Sequence, residues 1–122
     1  MRKKSSTICM EETMRQNIVK DPILEKIRKA IVESVLPDKI ILFGSRARGE
    51  ATAHSDYDLF IIKDDIKNER EISRQINYRL LQEDLAQAVD VVVSSADTWE
   101  TNVGKIGMIY KTIDEEGIII YG

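Results

Sequence analysis

A chain of 122 residues, of which 43% are hydrophobic and 32% charged, has the size and composition of one compact domain with its own core. A formal net charge of −3 gives no electrostatic case for tight, general nucleic-acid binding. A single cysteine, Cys9, excludes an intrachain disulfide and a cysteine-based zinc site, and no run approaches the roughly 20 apolar residues that a membrane span needs.

Charge is nonetheless divided along the chain, with residues 1–50 carrying +4 and residues 51–122 carrying −7. No apolar segment of signal-peptide length follows the basic start, so a cytoplasmic location is expected. Residues 1–20 read as a polar lead-in, with Ile8, Met10, Met14 and Ile18 at spacings open to an amphipathic helix. Residues 21–122 read as one domain.

Asp21-Pro22 supplies an N-cap followed by proline at the first helical position, and Leu24, Ile27, Ile31 and Val35 recur at helical spacing as far as Leu36. Pro37-Asp38 stops that helix. The short apolar run Ile40 to Phe43 suits a strand buried on both faces, and Gly44 ends it. Tyr57 to Ile62 is a second strand, with Asp56 and Asp58 at its start. From Asn68 to Gln87 an apolar side built from Ile72, Ile76, Leu80, Leu81 and Leu85 predicts an amphipathic helix. Val89 to Val93 is β-branched and strand-like, interrupted by Asp90. Asp97 is positioned to cap a short helix around Trp99, and Ile106, Tyr110 and Ile113 mark another that Gly117 stops before the last strand, Ile118 to Tyr121. Helices and strands alternating along one chain imply an α/β fold with a mixed sheet of about four strands flanked by helices.

The chemistry is concentrated in Gly44-Ser45-Arg46-Ala47-Arg48-Gly49 and, with ten residues intervening after the Gly-Ser pair, Asp56-Tyr57-Asp58. A glycine directly after a strand lets the backbone turn and approach a ligand, and Ser45 offers a hydroxyl and an N–H to phosphate oxygens. Residues two apart on a strand face the same way, so Asp56 and Asp58 stand on one face about 7 Å apart. Such a pair repels itself unless a hard divalent cation is shared, and magnesium is the natural choice. A carboxylate buried in an apolar strand costs several kcal/mol unpartnered, which points to Asp90 as a third ligand wherever its strand lies beside that of Asp58; the alternative is an edge-strand carboxylate facing water. Arg46 and Arg48 are either solvated residues of a helix start or clamps on a triphosphate. His54, the sole histidine, reads as a solvated loop residue, and Trp99 and Tyr110 as core rather than partner surface. Neither a P-loop nor a dinucleotide fingerprint is present.

The Gly-Ser pair, the Asp-x-Asp after ten intervening residues and the distant Asp in a β-branched strand resemble the DNA polymerase β-type nucleotidyltransferase superfamily. Gly-Ser-x-Ala-Arg-Gly with Ser-Asp-x-Asp-Leu more narrowly resembles its minimal nucleotidyltransferase (MNT) group, from about Pro22 onward. The resemblance implies that group's mixed-sheet fold, ATP or another nucleoside triphosphate with Mg²⁺, and transfer of a nucleoside monophosphate with release of pyrophosphate. Ser45 would hold terminal phosphates, Asp56 and Asp58 would bridge the ions, and Asp90 would complete the site. Larger relatives bind their acceptor with a second domain for which this chain has no room. MNT proteins are commonly paired with HEPN-domain toxins, and some modify a toxin tyrosine with AMP. The implied acceptor is therefore a hydroxyl of a HEPN-type partner protein, with this chain as antitoxin. Two alternatives stand beside it: a noncatalytic antitoxin-like subunit, and a small-molecule nucleotidyltransferase that uses an oligomer interface as its acceptor pocket.

Overall fold

Asp21 opens the first described helix as its chemistry requires, one carboxylate oxygen accepting from the N–H groups of Ile23 at 3.0 Å and Leu24 at 3.2 Å, with Pro22 in the first turn. The computed structural model describes residues 21–52, 54–64, 67–85, 87–103 and 109–122. The readings made for residues 1–20, Cys9 and Ile106 lie outside them. Helix α1 (Pro22–Val35) leads to β1 (Lys39–Phe43), the one-turn helix α2 (Ser45–Arg48) and β2 (Tyr57–Ile62). Helix α3 (Glu69–Gln82), β3 (Val89–Ser94), α4 (Ala96–Asn102), α5 (Ile109–Glu116) and β4 (Ile118–Tyr121) complete the order.

The four strands form one mixed sheet in the order β3-β2-β1-β4. β1 runs antiparallel to both β2 and β4, while β3 runs parallel to β2, the pairing that the α3 crossover makes possible. Two apolar layers sandwich this sheet. On one face Leu24, Ile27, Ile31 and Val35 of α1 and Ile76 and Leu80 of α3 close over Ile40, Leu42, Tyr57, Leu59 and Ile61. On the other, Ile113 of α5 joins Ile41, Phe60 and Ile62, with Trp99 and Tyr110 packed against them. Phe60 lies 5.2 Å from the Trp99 ring centroid and 5.6 Å, edge-on, from Tyr110, distances at which aromatic rings attract beyond their buried area.

Two boundaries differ from the sequence reading. Helix α3 stops at Gln82 instead of running to Gln87, because Asp84 turns into the left-handed region (φ +54°) and Leu85 returns to the core from beyond the helix end. Ser95, not Asp97, caps α4: its hydroxyl accepts from the N–H of Thr98 at 3.1 Å, leaving Asp97 in the first turn facing the helix dipole. No helix among the described residues is long and apolar enough to cross a membrane.

Candidate active site

Strand register brings the acidic and glycine motifs together. Phe43, the last residue of β1, pairs with Asp58 of β2, so Gly44 turns away just beside the Asp58 side chain. Gly44 has φ +80°, a conformation L-residues rarely adopt, and a Cβ there would stand 2.2 Å from Asp58 Oδ2. The glycine is thus required twice, once for the turn and once because the carboxylate occupies the space of a side chain. Ser45 follows as the first residue of α2, and its carbonyl accepts from the Glu50 N–H at 2.9 Å, closing that turn.

Asp58 is also the register partner of Asp90 across the parallel β2–β3 pair, which sets both carboxylates on one face of the sheet. That face is the one carrying Phe60 and Val92. Burial raises the Asp58 carboxyl above the ordinary carboxylate range, Asp90 and Asp56 push it further by repulsion, and Arg48 opposes them. Asp56 precedes β2 and is exposed. Asp90 corrects the sequence argument made for it. It is exposed on an edge strand, so desolvation is no reason for a partner at Asp90; the group that burial penalises is Asp58.

The donor set fits a hard divalent cation, since it consists of carboxylate oxygens that repel one another and flank a half-buried member. The fit is to an arrangement that ligand would have to draw together: among the described residues no three His, Cys, Asp or Glu groups are already gathered as a metal site.

The two arginines part company. Arg48 is exposed and pairs with Glu50 at 2.9 Å and with Glu116, at the end of α5, at 3.4 Å; such pairs are worth little in water and exchange readily. Its charge reaches Asp58. Arg46 instead turns under the loop that follows α2. Its Nε and Nη2 donate to the Ser55 carbonyl at 3.1 and 2.8 Å, Nη2 also donates to the Thr52 carbonyl at 3.3 Å, and its guanidinium lies 4.0 Å above the Tyr57 ring. His54 is exposed in the same loop.

Tyr57 and Asp21 are site-supporting residues that the sequence reading missed. The Tyr57 hydroxyl donates to the second carboxylate oxygen of Asp21 at 2.7 Å, and burial together with this bond raises its pKa to about 12. The signal was present: Tyr57 alternates with Leu59 and Ile61, so its ring had to enter the core and its O–H had to find an acceptor.

Residues 24–120 match the model of the nucleotidyltransferase domain family. The fold is similar to the crystal structure of a proposed nucleotidyltransferase from Sulfolobus solfataricus, with 22% identity, a TM-score of 0.51 and 83% of this chain aligned to 84% of that one. At that identity the likeness concerns the fold alone. No curated protein matches the chain by sequence.

Proposed function

This chain belongs to the nucleotidyltransferase domain family, and on that premise we propose that it is a Mg²⁺-dependent enzyme moving AMP from ATP to a hydroxyl of a partner protein. The observation that carries the reading is the meeting of Asp58 with Asp90 in register and with Gly44, whose lack of a side chain leaves room for the Asp58 carboxylate. Asp56, Asp58 and Asp90 would hold the divalent ions, which when bound supply charge neutralisation for the triphosphate and a more acidic acceptor hydroxyl. The turn at Gly44 and Ser45 presents a hydroxyl and backbone N–H groups to the terminal phosphates. Arg48 can leave its exposed glutamates for a phosphate oxygen at small cost. In the transfer the acceptor hydroxyl passes its proton to Asp90 or to solvent, and its oxygen forms a bond to the α-phosphorus as the bond to pyrophosphate breaks.

The likeness of Gly44 to Gly49 and Ser55 to Leu59 to the MNT motifs supports a HEPN-type toxin as acceptor and an antitoxin role. The alternative readings are a binding-only antitoxin of the same fold and, third, a small-molecule nucleotidyltransferase. One experiment separates the three. The partner captured with this chain is incubated with labelled ATP and Mg²⁺, and its intact mass is measured. Addition of AMP, lost on chelation, is the expected result. Tight binding without any mass change selects the binding-only reading, and nucleotide transfer to a small molecule selects the third.

A further inference from the structure

The guanidinium of Arg46 brackets Asp56. On the N-terminal side it grips the Ser55 carbonyl with two donors, and so orients the peptide group that joins Ser55 to Asp56. On the C-terminal side it stacks on the ring of Tyr57. Tyr57 cannot drift, because its hydroxyl is bonded to Asp21 and its N–H donates to the Ala88 carbonyl at 3.0 Å. Asp21 in turn is fixed by capping α1. The loop is closed on itself as well, the Ser55 N–H donating to the Thr52 carbonyl at 3.1 Å and the Thr52 N–H to Ser55 Oγ at 2.9 Å.

We infer that Arg46, seated on Tyr57 and through it on Asp21, is a positioning residue that holds the exposed Asp56 carboxylate beside Asp58, and is not a ligand of the triphosphate. Asp58 needs no such help, since strand pairing and Gly44 locate it. Asp56 lies before the first residue of β2 and lacks the ladder, so the order it needs to meet a cation comes from its neighbours. Lysine cannot substitute, because a compact ammonium cannot grip one carbonyl with the fixed fork of a guanidinium while that group also lies over a ring. The inference rests on the metal-site reading of Asp56 and Asp58 for its consequence, though not for its geometry.

Amide hydrogen exchange and Mn²⁺ binding, the latter by electron paramagnetic resonance with ATP present, test it on wild type, Arg46→Lys, Tyr57→Phe and Asp58→Asn. In Arg46→Lys, exchange at residues 50–52 and 54–56 should quicken about tenfold or more while residues 57–62 stay protected. Its Mn²⁺ affinity should fall by about 10- to 100-fold, the usual loss when a group orienting a metal ligand is removed. Tyr57→Phe keeps the stacked ring and loses the bond to Asp21, so it should show the same changes in smaller measure. Wild-type loop exchange in Arg46→Lys overturns the inference. So does a loss of metal-free ATP affinity with an undisturbed loop, which would make Arg46 a phosphate ligand after all. Should Arg46→Lys not fold, Tyr57→Phe decides, and unchanged loop exchange and Mn²⁺ affinity there overturn the inference. If wild type binds Mn²⁺ with ATP no better than Asp58→Asn does, the enzyme reading fails, while the loop exchange still decides the place of Arg46.

Discussion

Tyr57, Leu59 and Ile61 of β2 look into the layer beneath α1 and α3, whereas Asp58, Phe60 and Ile62, their immediate neighbours in sequence, look into the layer beneath α4 and α5. The first layer is covered by two 14-residue helices and draws on α1, α3 and all four strands; the second has helices of 7 and 8 residues and ends in carboxylates. On the proposed reading, one strand therefore serves cohesion on one side and chemistry on the other. Alternation of side chains along a strand is what makes the division possible at single-residue resolution. A substitution on the first face should act on stability, and one at the end of the second on function.

The largest expected effect is on function: Asp58→Asn should lower the transfer rate roughly a hundred- to a thousandfold while leaving the protein folded. Rates measured with labelled ATP, beside circular dichroism, check both halves, and a wild-type rate would dissolve the distinction between the faces. One position further along, Leu59→Ala should cost about 3 kcal/mol of stability, by removing a fully buried side chain from the first layer. Urea unfolding reads this, with ATP and Mg²⁺ affinity below the transition expected at the wild-type value.

Gly44→Ala should blur the distinction, since it strains the turn by about 1–3 kcal/mol and displaces the Asp58 carboxylate at the same time. Thermal melts should show both a lower midpoint and the loss of stabilisation by Mg²⁺ with ATP. A variant as stable and as responsive as wild type would mean that the close approach to Asp58 relaxes without consequence. The smallest effect is pH-dependent. Because the Asp58 carboxyl is raised in the folded state, the unfolded chain releases that proton first, and stability falls as pH rises from the ordinary carboxylate value through the raised one. Melts in chelator should therefore show Asp58→Asn a few degrees more stable than wild type near neutral pH, with the gap closing in acid; Mg²⁺ with ATP should reverse the order.

Much of this plan is legible before any coordinates. Asp21-Pro22 marks a helix start by local hydrogen bonding alone, and Ile40 to Phe43 and Tyr57 to Ile62 announce strands by composition and alternation. The motif around Gly44 and Asp58 is likewise local. What stayed hidden depends on long-range placement. The register that pairs Asp58 with Asp90 follows from how α3 returns the chain, and the edge position that exposes Asp90 follows from sheet order, neither of which a β-branched run encodes. Arg46 looked like a solvated or phosphate-binding cation because its partners are backbone carbonyls, which every residue has. The end of α3 was overrun because Leu85 keeps the apolar pattern after the helix has stopped.

Trp99 is the only tryptophan in the chain, and it rests on Phe60, whose neighbour two residues back on the same sheet face is Asp58's own position. The protein thus carries its one indole on the layer that bears the proposed site, and no tryptophan on the opposite one. Indole emission should report loosening beneath α4 and α5 specifically, while far-ultraviolet dichroism follows the longer helices of the other layer. Emission and dichroism that change together on heating would show the two layers melting as one unit; an emission shift at lower temperature would show the side of the proposed site opening first, in a chain that needs no attached dye to reveal it.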